Sequence, residues 1–126
     1  MYRAYVCSPL GGNITANIEN AKRYSQYVFK CGMAPVIPHF YALVLNDDNP
    51  EERKLGMQAG ISLLWVCDEV WVFGNQITDG MKKEIRFAEK LNISYKSVEF
   101  HITKALRELR IQLKDYLPFF IYFLLK

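Results

Sequence analysis

Cysteine and histidine are scarce in this chain of 126 residues. The three cysteines, Cys7, Cys31 and Cys67, are odd in number and form no C-x-x-C pair, which argues against a disulfide framework or a thiolate zinc site. The histidines are only His39 and His101, so a metal site would need carboxylates, and these show no clustered spacing. No metal and no organic cofactor is therefore expected. Long apolar runs are missing too. The longest, Tyr116–Leu125, contains Pro118 and is about half of the roughly 20 residues a bilayer span requires. The opening Met1-Tyr2-Arg3-Ala4-Tyr5 lacks the apolar core of a secretory leader. Together these absences predict a reducing, cytoplasmic setting and no membrane partner. One-sided charge is absent from the body of the chain. Residues 1–100 hold 11 Lys/Arg and 11 Asp/Glu, and the net +3 comes entirely from 101–126. Without a basic stripe to neutralise phosphates, a nucleic-acid polymer is not the expected ligand.

What is present suits a folded domain. Hydrophobic residues make up 51% and charged residues 23%, a globular rather than a disordered balance. The length fits one domain. Tyr2–Cys7 reads as a strand that stops at Ser8-Pro9-Leu10-Gly11-Gly12. A helix follows, with Ile14, Ile18, Ala21, Val28 and Cys31 on one face and Gly32 as its carboxyl-terminal cap. Ala34–Pro38 is a short second strand, and His39–Asn49 a loop. Asn49-Pro50-Glu51-Glu52 starts a helix to about Val66, because Asn caps, Pro suits the first helical position and acids favour the positive helix end. The apolar character of that helix towards its end predicts deep burial, with Gly56 and Gly60 allowing close packing. Glu69–Phe73 reads as a central strand. A helix from about Gly80 to Leu91 and a strand over Ile93–Val98 complete the series. Trp65 and Trp71 read as core, and Asp68 as a fastening between helix and strand.

This β-α alternation predicts an α/β fold, Rossmann-like, with a four-stranded, mainly parallel sheet in the order 2-1-3-4. The expected layout is a single domain over 1–100 and a C-terminal helical, apolar tail over 101–126. In the tail, Ile102, Leu106, Leu109 and Leu113 fall on one face, ahead of the run ending at Leu125. Such a stretch needs cover from the body, a second subunit or a membrane surface. A homo-oligomeric contact over 106–125 is the expectation.

Ligands of parallel sheets bind at the carboxyl ends of strands, which directs attention to residues 8–13, 39–41 and 74–80. Ser8, Gly11, Gly12 and Asn13 precede a helix whose free amides suit a phosphate, or they form an ordinary turn. His39 reads as a ligand contact or as a loop hydrogen bond. Arg53, in the first turn of its helix, opposes the helix dipole, which fits a substrate anion or a surface pair with Glu52. Met81 could line a pocket. Glu84 stands apart. At about 100° per residue, Met81, Ile85, Phe87, Ala88 and Leu91 share one arc, and Glu84 is the only charged residue that falls within it. A carboxylate there either pairs with an Arg or backbone amides, or faces a ligand cleft.

The string Thr78-Asp79-Gly80-Met81-Lys82-Lys83-Glu84, with Ala88 four places on, resembles the nucleophile segment of the nucleoside 2-deoxyribosyltransferase superfamily, whose pattern is close to D-[SD]-G-x-x-x-E. Ser8-Pro9, Pro38-His39 and Cys67-Asp68-Glu69-Val70-Trp71-Val72-Phe73-Gly74 resemble its small, uncharacterised, deoxyribosyltransferase-like branch. The resemblance covers residues 2–98. It implies that Glu84 attacks the anomeric carbon of a 2-deoxyribonucleoside or its 5′-phosphate, forming a covalent glycosyl-enzyme that water or another base resolves. Glu84 is then the catalytic residue, kept ionised by the neighbouring helix amino end. Ser8, Pro9, Gly11, Asn13, His39, Arg53, Asp79, Gly80 and Met81 are the expected substrate contacts. Two departures stand out. Thr78 occupies the place of the superfamily's first Asp, and Cys7-Ser8-Pro9 replaces the usual Tyr before the first-loop pair. The expectation is an N-glycosidic hydrolase or transferase acting on a small nucleoside or nucleotide. The alternatives are a non-catalytic nucleotide-binding or sensing domain, or an interaction protein acting through its tail.

Overall fold

Alternation along two short strands sets up both faces of the sheet. In β1 (Arg3–Cys7), Ala4 and Val6 face one side, and Tyr5 and Cys7 the other; all four are fully buried. In β3 (Glu69–Phe73), Trp71 and Phe73 join the first cluster, and Val70 and Val72 the second. A strand buried on both faces must be a continuous apolar run, which is the sequence pattern seen here. The computed structural model describes residues 1–98. The tail, with the oligomer contact expected of it, lies outside the described residues.

Strand β2 is Ala34–Val36, and β4 is Ser94–Val98. The sheet order is β2-β1-β3-β4, and every pairing is parallel. Helix α1 (Ile14–Lys30) covers the Ala4/Val6 face through Val28, Tyr24 and Tyr27, with Tyr24 stacked on Phe73 at 4.5 Å between ring centres. Leu64, Cys67, Met81 and Ala88 cover the other face. Each large apolar side chain buried in this way contributes roughly 1.5–3 kcal/mol. The edge strand β4 is mostly exposed, and Lys96 lies over the Trp71 ring at 3.9 Å, a cation–π contact that shields the indole.

The helix ends follow local chemistry. The side chain of Asn13 accepts from the Ala16 amide to cap α1, and Gly32, at φ +81°, reverses the chain after it. Asn49 accepts from the amides of Glu51 and Glu52 to start α2 (Pro50–Ser62), with Pro50 in the first turn. Thr78 accepts from the Met81 amide to start α3 (Asp79–Lys90). Asp68 accepts from the Arg3 amide at 2.7 Å and ties the start of β3 to that of β1.

Two expectations need correction. The segment after β2 is not an open loop: Pro38 opens a 3₁₀ turn over Pro38–Leu43, its fixed φ being suited to a first helical position. The long helix ends at Ser62 and continues as a 3₁₀ turn, Leu63–Val66, and it is not deeply buried. Leu55, Trp65 and Val66 are exposed, Trp65 by 68%. The contact seam of α2 is narrow and made of glycine. A Cβ at Gly60 would lie 3.0 Å from Pro38 Cβ, and one at Gly56 3.3 Å from Leu45 Cδ1. The tighter winding at three residues per turn carries Trp65 away from the core, to an edge contact with Phe87 at 6.2 Å.

Candidate active site

The winding direction reverses between β1 and β3, and crevices form where strand order reverses in this way. Here the end of β1, the Pro38–Leu43 turn, one side of α2 from Pro50 to Ile61 and the start of α3 enclose a cleft of about 790 Å³. Ser8, Gly11, His39, Arg53, Asp79, Gly80, Met81 and Glu84 all line it.

Glu84 is 7% exposed. The Tyr5 phenol donates to its Oε2, and the Cys7 thiol approaches Oε1 at 3.8 Å, with the Met81 carbonyl 3.9 Å from the same sulfur. Burial pushes the Glu84 carboxyl up to about 7, against the opposing pull of the Tyr5 and Cys7 hydrogen bonds. The expectation that the helix amino end holds it ionised is thus corrected. Glu84 is the sixth residue of α3, and the dipole acts mainly within the first turn, so desolvation wins. Burial, then the Glu84 charge, raises the phenol of Tyr5 and the thiol of Cys7 far above their ordinary range. Both stay neutral donors, and Glu84 is the group of this trio that changes charge near neutrality.

His39 Nε2 lies 2.9 Å from the Ser8 carbonyl and 2.9 Å from Ser8 Oγ. A carbonyl only accepts, so this network assigns the proton to Nε2. His39 Nδ1 is left buried and without a partner among the described residues. Burial lowers the His39 pKa, the Ser8 carbonyl opposing in part. The ring binds the end of β1 to the turn after β2.

Pro9 and Asn13 do not face the main cleft. They line a smaller cavity of about 260 Å³ between the loops after β1 and β3, which shares Gly11 and Thr78 with the larger one. The side-chain oxygen of Asn13 is engaged as a cap. Asp79 sits at the rim with its side chain 97% exposed, 3.9 Å from Lys82 Nζ; first helical positions project outwards from the cap. Met81 is 1% exposed and backs the wall as core. Gly80 permits a close helix approach, because a Cβ there would lie 2.8 Å from Met57 Cε. The Arg53 guanidinium rests against the loop after β1, where a Cβ on Gly11 would lie 3.0 Å from Nη2. Sequence reasoning missed Tyr5 and Cys7 as neighbours of Glu84. Period-two alternation in β1 places Tyr5 on the same face as Cys7. Among the described residues no group of three His, Cys, Asp or Glu is placed to hold a metal ion. No described helix is long and apolar enough to cross a membrane.

Residues 2–98 match a family described as a domain of unknown function, DUF7768. No curated protein matches the chain. Among solved structures, a 2-deoxyribosyltransferase from the psychrotolerant bacterium Bacillus psychrosaccharolyticus, described as a biocatalyst for the synthesis of antiviral and antitumoral nucleosides, superposes with a TM-score of 0.60. The match covers 81% of this chain and 80% of that one at 15% identity. At that identity the two share a fold.

Proposed function

The chain belongs to the DUF7768 family, and from that premise we propose that it cleaves the N-glycosidic bond of a 2-deoxynucleoside or its 5′-phosphate, with Glu84 as nucleophile. The observation that carries the reading is the buried Glu84 carboxylate, bound by Tyr5 in a cleft at the carboxyl ends of a parallel sheet. A perturbed carboxyl in a cleft is the form expected of a reacting group. A carboxylate oxygen bonds to C1′ as the C1′–N bond breaks, the electron pair leaves with the base nitrogen, and that nitrogen takes a proton from water. A water oxygen then bonds to C1′, the ester pair returns to Glu84, and the water proton passes to solvent; a second base in place of water gives transfer. Tyr5 fixes one carboxylate oxygen and orients the other. Ser8, Gly11 and Arg53 suit the polar or anionic end of the ligand. The setting proposed is the cytoplasm, in a homo-oligomer.

The test is incubation of the full chain with 2-deoxynucleosides and their 5′-monophosphates, with and without a free acceptor base, followed by chromatography. Released base supports hydrolysis, and a new nucleoside supports transfer. Binding without turnover in any mixture would instead favour a sensing domain. Glu84→Gln should reduce turnover by about a thousandfold or more, and retention of a tenth of the activity would exclude this residue as nucleophile.

A further inference from the structure

Of the two β1 side chains that meet Glu84, Tyr5 has a task in the chemistry above and Cys7 has none. Cys7 is fully buried under α3 and does not line the cleft. A thiol so placed ordinarily acts as a small hydrophobe. Two contacts set this one apart. Its Sγ lies 3.8 Å from Glu84 Oε1 and 3.9 Å from the Met81 carbonyl oxygen. Both acceptors belong to α3, one turn apart. A thiol has one proton to give. The two distances are nearly equal and long even for sulfur, so neither acceptor holds that proton firmly. Rotation about the Cβ–Sγ bond exchanges them without moving a heavy atom. The Tyr5 phenol already holds Oε2, which leaves the thiol as the side-chain donor to Oε1 among the described residues.

We propose that Cys7 is a positioning residue for Glu84: its thiol proton turns to Oε1 while the carboxylate is ionised, and to the Met81 carbonyl once that oxygen carries a proton or a sugar carbon. The inference rests on the nucleophile reading above. A buried, ionised oxygen without a donor is costly, whereas a strong donor would tie up the lone pair that forms the new bond. A thiol is a weak donor, so it steadies the charge and lets go of it readily. The released proton is not stranded, because a helix carbonyl has a second lone pair to offer. Burial and the Glu84 charge keep the thiol protonated, as the exchange requires. Tyr5 stands beside Cys7 on the same strand face, and Cys67 donates to the Leu63 carbonyl at 3.3 Å in the same cluster. Burial raises both of these groups as well, so Glu84 is the neighbour that changes charge between pH 5 and pH 8.

The experiment follows the thiol S–H stretching band of the full chain by infrared spectroscopy from pH 5 to pH 8. No substrate is present, so the result does not depend on turnover. The Cys7 band, assigned by its loss in Cys7→Ala, should move between two positions with the Glu84 midpoint of about 7. In Glu84→Gln it should stay in one place. A carbon-13 titration of the Glu84 carboxyl gives the second readout. Cys7→Ala should raise the midpoint by about half a pH unit, as expected for a weak hydrogen bond lost from the charged form. Cys7→Ser, which restores a donor, should bring it back to the parent value or below. Cys7→Val, which fills the space without a donor, should leave it raised. A purely structural Cys7 would lower stability in these variants and leave the midpoint where it was. An unmoved S–H band, an unchanged midpoint in Cys7→Ala, or a midpoint restored by valine overturns the assignment and leaves the role of Glu84 standing. If band and midpoint behave as expected while no 2-deoxynucleoside is cleaved, the coupling of Cys7 to Glu84 holds and the nucleophile reading alone falls.

Discussion

Removing the Glu84 charge should stabilise the protein, by an amount that grows as pH rises from about 4.5 to about 7. Burial moves this carboxyl from its ordinary 4.5 to about 7. Between those two values the folded chain keeps a proton that the unfolded chain has lost, so stability falls as pH rises through the window. The raised group contributes fully below 4.5, and that contribution is gone above about 7. At about 1.36 kcal/mol per pH unit the loss is about 3 kcal/mol, and with the residue 7% exposed little of it is relieved by solvent. Glu84→Gln keeps the shape and cannot ionise. At pH 5, just above the unfolded value of 4.5, the variant should be ahead by no more than about 1 kcal/mol. At pH 8 the variant should be more stable by about 2–3 kcal/mol, allowing for its imperfect hydrogen bond to Tyr5. The assay is urea unfolding of both proteins at intervals from pH 5 to pH 8. His39 titrates in part of this range with the opposite sign, since its lowered pKa removes stability as pH falls below 6.5; it is common to both proteins and cancels in the difference. Tyr5 and Cys7, the groups that face Glu84, remain neutral throughout. Parallel stability curves, differing by a constant within about 0.5 kcal/mol, would refute the claim that desolvation dominates at this site.

Three further outcomes follow from the same geometry. Tyr5→Phe removes a donor that lowers the Glu84 pKa, so the acid limb of the pH–rate profile, or a carbon-13 carboxyl titration, should move above 7; an unchanged midpoint would show the phenol to be a bystander. Gly60→Ala should destabilise by about 1–3 kcal/mol, because its Cβ would meet Pro38 Cβ at 3.0 Å, whereas Gly80→Ala should cost less, since the flexible end of Met57 can move; thermal melts of the two would show the order reversed if the seam is plastic. Light scattering of the full chain should give a mass above the 14.7 kDa of one copy, and a monomer would refute the proposed assembly.

The central strands and the oddness of Glu84 were legible along the sequence, because both rest on local periodicity. Continuous apolar runs mark β1 and β3 as doubly covered, and a single helical turn count puts Glu84 among Met81, Ile85 and Ala88 before any coordinates are known. Caps at Asn49 and Gly32 were likewise legible, being chemistry between near neighbours. The rest depends on contacts between distant segments. Tyr5 and Glu84 are separated by 79 positions, and only the parallel pairing of β1 with β3, with α3 laid across them, brings phenol and carboxylate together. The ionisation of Glu84 was misjudged because helix dipole and desolvation compete, and the depth of burial that decides between them is a property of the packed molecule. Trp65 was expected inside and stands outside for a similar reason: the chain after α2 tightens into the 3₁₀ turn Leu63–Val66, which turns the indole away from the core to Phe87. Asp79, expected as a substrate contact, lies at the cleft rim with its side chain turned to solvent, because it sits in the first turn of α3. Patterns with a period of two or 3.6 residues are written in the chain itself. Which charged group ends up buried, paired or facing a ligand is decided only when segments far apart in sequence exclude water between them.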